Sequence, residues 1–125
     1  MPVVGRLPHR LGIILPSLRQ SGQMLSPALR REIRETVQAW FAQAFTGSTE
    51  DRLQVRPRLR GRWGGGSGVA LEKVEEVWIC CSATEFRKHK AGLVQLAEWV
   101  WKKADQQAVA ILVDGGMELV EGRES

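Results

Sequence analysis

Apolar positions in this chain recur in two rhythms, one of about 3.6 residues and one of two, and their alternation lays out the elements. Leu11-Gly-Ile-Ile-Leu15 is a short apolar run closed by Pro16 and Ser17, and it predicts a buried strand. Ser26-Pro27 then supplies an N-cap followed by a proline at the first helical position, where its missing N–H costs nothing. Leu29, Ile33, Val37, Trp40, Phe41 and Ala44 follow at helical steps, so an amphipathic helix is predicted, with Gly47 as its left-handed cap. From Leu53 to Trp63 the period changes to two. Leu53, Val55, Pro57, Leu59, Gly61 and Trp63 share one parity, and Gln54, Arg56, Arg58, Arg60 and Arg62 share the other. This is the pattern of a strand with one apolar and one basic face, and Pro57 argues for an edge position or a bulge.

Gly64-Gly-Gly-Ser-Gly68 predicts a hairpin tip, and Val74 to Cys81 a third strand with Val77, Ile79 and Cys81 directed to the core. Ser82-Ala-Thr-Glu85 is a capping-box sequence at the head of a second helix, whose stripe is Phe86, Leu93, Leu96, Ala97, Val100 and Ala104. Ala108 to Val113 reads as a buried strand, and Asp114-Gly-Gly116 as a tight turn into a short final strand, Met117 to Val120. The order β-α-β-β-α-β with an extra strand predicts an α+β, ferredoxin-like domain with a mainly antiparallel sheet and both helices on one face. One domain over residues 1–125 is expected, with an ordered core at about 9–121 and flexible tails at 1–8 and 122–125. The expected core is Ile13, Leu15, Ile33, Val37, Trp40, Phe41, Val77, Ile79, Leu93, Leu96, Val100, Val109 and Ile111.

Charge adds a polarity to this plan. Residues 1–63 carry eleven Arg and four acids, a balance of +7, and residues 64–125 carry seven bases and ten acids, a balance of −3, which together make the net +4. If the second and third strands pair with indices summing to 132, Arg60 lies opposite Glu72 and Arg56 opposite Glu76, while Arg58 and Arg62 face Val74 and Ala70. A solvated hairpin with matched charges is the favoured account of that row. The alternative is a polyanion site built from Arg52, Arg56, Arg58, Arg60 and Arg62.

Other chemistry is sparse. The apolar runs are far shorter than the roughly 20 residues of a membrane-spanning helix, no secretory signal is visible, and a cytoplasmic protein without a membrane partner is expected. Cys80 and Cys81 are adjacent, so in a strand they point to opposite faces and a bond between them is disfavoured. His9 and His89 do not complete a zinc spacing with them. His89 sits among Arg87, Lys88 and Lys90 and is expected on a solvated surface, and His9 near a mobile terminus. No catalytic residue, metal or cofactor is expected.

Gly61-Arg-Trp-Gly64 before an acidic strand, with the Gln107-Ala-Val-Ala-Ile-Leu-Val-Asp114 strand near the end, resembles small uncharacterised bacterial ferredoxin-like proteins over about residues 11–120. The resemblance implies a fold and no activity. With the helices on one face, the other sheet face has to meet solvent, a ligand or a partner, and Trp78 beside Cys80 on that face marks a self-association patch. The leading expectation is therefore a small non-enzymatic binding or regulatory protein that forms a homo-oligomer through the open face. Nucleic-acid or polyanion binding by the arginine strand is one alternative. A dimeric ferredoxin-like barrel enzyme acting on a small molecule is the other.

Overall fold

In the computed structural model, which describes residues 9–45, 53–59 and 73–122, the chain runs β1 (His9–Leu15), α1 (Pro27–Ala44), β2 (Leu53–Leu59), β3 (Lys73–Cys81), α2 (Ala83–Ala104), β4 (Ala108–Val113) and β5 (Gly116–Glu121). The expected Gly64 to Gly68 tip lies outside the described residues, as does Gly47; α1 does not wait for that glycine but ends at Ala44, with Phe45 as an extended C-cap whose N–H donates to the Phe41 carbonyl. The five strands form one sheet in the order β2-β3-β1-β4-β5, and every neighbouring pair is antiparallel. The architecture is thus α+β with two helices. It departs from a four-stranded βαββαβ sheet by β5, which forms an edge beyond β4.

The local signals act where the sequence puts them. Ser26 accepts from the Leu29 N–H at 3.1 Å with Pro27 opening α1. Ser82 and Glu85 form a reciprocal capping box, in which Ser82 Oγ accepts from the Glu85 N–H at 3.1 Å and Glu85 accepts from the Ser82 N–H at 3.2 Å. Asp105, in a left-handed conformation with φ 56°, stops α2. β2 pairs with β3 in the 132 register, Arg56 opposite Glu76 and Arg58 opposite Val74, and it lies at the sheet edge, where the missing N–H of Pro57 is tolerated.

Strand parity sorts the two faces. Leu11, Ile13 and Leu15 of β1, Val77, Ile79 and Cys81 of β3, and Val109 and Ile111 of β4 are buried in one cluster with Ile33, Val37 and Phe41 of α1 and Leu93, Leu96, Ala97 and Val100 of α2. α2 packs on β1 and β4, and α1 packs against α2. Trp40 departs from the expected core list: it is half-buried, stands edge-on to Phe41 with ring centres 5.0 Å apart, and rests on Gly92, where a Cβ would come within 3.0 Å of the indole. Its ring therefore lies across the helix pair at the margin of the core. Trp99 and Trp101 are both half-buried at the margin of the core.

Both histidines are better placed than their sequence neighbourhoods imply. His89 packs on the Phe45 ring at 4.6 Å, since its ring is on the helix side that faces α1 and not on the side of the neighbouring bases. His9 opens β1 opposite Cys81, lies 4.9 Å from the Phe86 ring, and has Nδ1 3.1 Å from Asp114 Oδ1 without the alignment of a hydrogen bond.

Two substitutions test this architecture. Ile33→Asp should destabilise the domain by roughly 4 kcal/mol or more, because the carboxylate enters an apolar cluster with no partner; a thermal melt superposing on the parent would contradict the packing. Gly12 is buried on the central strand, and a Cβ there would collide with the Trp78 Cβ and come within 2.5 Å of the Val77 carbonyl oxygen. Gly12→Ala should therefore cost about 3 kcal/mol, and adding Trp78→Ala should not restore stability, since both clashing atoms remain. Recovery in the double variant, measured by chemical denaturation, would show that only the indole was crowded.

Candidate functional site

The face of the sheet opposite the helices carries Arg10, Gly12 and Ile14 from β1, Glu76, Trp78 and Cys80 from β3, Leu112 from β4, and Met117 and Leu119 from β5. At its centre the Arg10 guanidinium stacks over the Trp78 ring, 4.3 Å from the ring centre, and its Nη2 stands 3.9 Å from Glu76 Oε1. Stacking and ion pairing together hold the cation flat on the sheet. A small cleft of about 240 Å³ beside it is lined by Arg10, Glu76, Leu112, Met117 and the Gly115-Gly116 turn. Met117 and Leu119 are 55% and 66% exposed.

Residues named from the sequence are brought together only in part. Trp78 and Cys80 lie on this open face, half-buried, with Arg10 opposite Cys80 in the ladder. Arg56 is exposed on β2, opposite Glu76, and Arg58 holds its place in the ladder opposite Val74. Arg52, Arg60 and Arg62 lie outside the described residues. Glu75 and Glu76 face opposite sides of the sheet, the first toward Arg34 of α1 and the second toward Arg10. Neither cysteine is in a disulfide, in keeping with their opposed faces. Among the described residues there is no group of three metal-ligating side chains, and no helix long and apolar enough to cross a membrane.

A larger concavity than this cleft is at the other end of the sheet, and sequence reading passed over it. Three segments converge there: the α2–β4 connection, the loop before α1 and the end of β5. The Gln20 N–H donates to the Asp105 carbonyl at 2.8 Å, the Gln106 N–H to the Trp101 carbonyl at 2.9 Å, and the Gly122 N–H to the Gln107 carbonyl at 3.0 Å. Beside these bonds lies an open cavity of about 690 Å³, a size suited to a nucleoside-sized ligand. Its lining combines the carboxamides of Gln20, Gln106 and Gln107 with the carboxylates of Asp105 and Glu121.

The Trp101 indole forms one side of this cavity, and its Nε1 is buried with no acceptor among the described residues. Gly122 lies against the ring, where a Cβ would come within 2.8 Å, so the chain passes close enough to flank the cavity only because this residue has no side chain. Carboxamides present a donor and an acceptor each, carboxylates accept from hydroxyls, and the indole adds an apolar surface and one donor. The signal in the sequence was the run Asp105-Gln-Gln107 between helix and strand, which is indistinguishable from an ordinary polar loop until Gln20 and Glu121 are placed beside it.

No protein-family model and no curated protein matches this chain. Among solved structures it is similar to a phage SAM lyase in complex with S-methyl-5′-thioadenosine, at a TM-score of 0.52 and 10% sequence identity, over 97% of each chain. At that identity the likeness is one of fold. It corrects the expectation of a non-enzymatic binding or regulatory protein self-associating through the open face: a fold shared over the whole chain with an enzyme lends that reading no support. The expectation rested on the open sheet face and on finding no catalytic residue in the sequence, whereas polar groups from distant segments gather at element ends.

Proposed function

We propose that the chain is an enzyme of small-molecule metabolism that binds an adenosyl sulfonium or its thioether product in the cavity between the α2–β4 connection and the end of β5. The observation that carries the reading is the composition of that cavity: three carboxamides, two carboxylates and an indole with an unanswered N–H around about 690 Å³. The fold likeness to a lyase that holds a 5′-thioadenosine supports the choice of ligand class. Gln106 and Gln107 take the edge of the base, to which a carboxamide offers a paired donor and acceptor. Asp105 and Glu121 accept from the ribose hydroxyls, and Lys102, also at the rim, pairs with a carboxylate on the departing arm.

Cleaving a sulfonium needs no oxidant or reductant. The carbon–sulfur bond breaks with its electron pair going to sulfur, which becomes a neutral thioether, while the carbon that is released gains a bond from the substrate's own carboxylate oxygen or forms a double bond by losing a neighbouring proton to a base. Carboxylates near the sulfur would stabilise the starting cation more than the transition state, so their useful contribution is to hold the ligand by its hydroxyls. For the fold, the proposal includes a ferredoxin-like reading of β1 to β4 with β5 added at the edge, supported by antiparallel pairing throughout and two helices packed on one face.

The test is calorimetric titration with S-methyl-5′-thioadenosine, together with incubation with SAM and chromatographic detection of the thioether. Saturable binding is expected, weakened about tenfold by Glu121→Gln and by Asp105→Asn, each a loss of one charge-assisted hydrogen bond. Asparagine tolerates the left-handed conformation at 105, so the second variant should keep its fold. Absence of binding, or binding indifferent to both substitutions, would reject the site.

A further inference from the structure

We infer that the cavity at the start of α1 is a second, independent site, for the oxyanion group of a small molecule such as a phosphate monoester or inorganic phosphate. The cavity measures about 390 Å³ and lies between the end of β1, the first turns of α1 and the start of β3. Arg30, Arg31 and Arg34 all line it, and Glu75 is the one carboxylate among its lining residues. Glu75 is already committed: Arg34 Nη1 donates to its two oxygens at 3.3 and 3.4 Å. Glu32, on the same turn of the helix, is directed away to Lys103 Nζ at 3.2 Å. Two of the three guanidinium groups are therefore left without a counter-charge among the lining residues.

The state of Arg30 separates this cluster from a solvated basic face. Its Nε is buried, and no acceptor among the described residues meets it. A buried donor of a charged group left in that condition is costly, and an oxygen acceptor entering the cavity removes the cost. Arg30 and Arg34 are one turn apart on α1 and line the same cavity, so two guanidinium groups are within one turn of an oxyanion bound there.

The helix reinforces the field. The first turn of α1 contains no acidic residue, in contrast to Glu85 in the first turn of α2, so no side chain of that turn neutralises the positive end of the α1 dipole. The floor is apolar, from Leu15, Ile33 and Val74, all buried, which lowers screening around the bound charge. The site is distinct from the proposed adenosyl cavity in lining residues, and a 5′-thioadenosine has no group that would use it. An enclosed volume of this size takes one anionic group; a nucleic-acid strand needs a continuous basic track.

The experiment is calorimetric titration of the full chain with inorganic phosphate, chloride being adjusted to hold ionic strength constant. Saturable binding at one site is expected, weakened about tenfold by Arg30→Gln, partly recovered in Arg30→Lys, and unchanged in Arg56→Gln, whose position in the ladder opposite Glu76 puts it on the other face of the sheet. Arg34→Gln risks the fold by releasing Glu75, so it is interpreted only if its thermal melt matches the parent; Arg30→Gln, whose guanidinium has no ion pair among the described residues, carries the test. Absence of saturable heat overturns the proposal, as does an equal loss in Arg56→Gln. A single-stranded oligonucleotide that binds more tightly than phosphate, and loses affinity in Arg56→Gln, would also overturn it by showing a diffuse backbone-binding face.

Discussion

The two-residue period of β1 is the constraint on which the rest of the molecule depends. This strand is third of five in the sheet, paired on one side with β3 and on the other with β4, so its residues have nowhere to go but up or down. Leu11, Ile13 and Leu15 go to the helix side and are almost fully buried. Arg10, Gly12 and Ile14 go to the other. A slip of one residue would bury a guanidinium under α2 and expose three large aliphatic side chains, and no local rearrangement relieves that. Gly12 adds a steric lock to the hydrophobic one, because only a residue without a Cβ lets the backbone lie beside Trp78.

That single parity sets the character of both faces. On the helix side the sheet is saturated with apolar contacts, and the polar residues that reach it do so at the margin: Glu75 to Arg34, and His9 to Phe86. On the open side Arg10 is laid over Trp78 and tied to Glu76. The open face is therefore an organised surface even with no helix on it, in which a cation shields an aromatic ring from water and a carboxylate holds the cation in place.

The cavities in this arrangement are at the ends of the elements. A core this short, with two helices over five strands, uses its stripes for packing and leaves little room for a cavity between layers. The concavities lie where chain segments turn: where α2 stops at a left-handed Asp105 and β5 ends beside it, and where β1 leaves the sheet and α1 begins. The first gathers neutral and acidic hydrogen-bonding groups, the second gathers arginines. The charge asymmetry between the two halves of the chain reappears as two sites of different electrostatic character at separate element ends.

Element order, helix caps, strand parity and the β2–β3 register were legible in the sequence because each depends on neighbours within one or two turns, or across one hairpin. Ser26-Pro27, Ser82 to Glu85 and the alternation around Arg56 are local physics. The burial of Ile33, Val37 and Phe41 follows from the same reasoning, since a 3.6-residue stripe has one solution once a sheet exists. Trp40, His89 and His9 were misjudged because their surroundings come from distant segments: Gly92 beneath Trp40, Phe45 against His89, Asp114 and Phe86 around His9. The candidate cavities were illegible for the same reason in stronger form. Gln20 and Glu121 are about a hundred residues apart, and Leu15 and Glu75 about sixty. Periodicity reports which way a side chain points, but only the tertiary structure decides which other side chains it meets there.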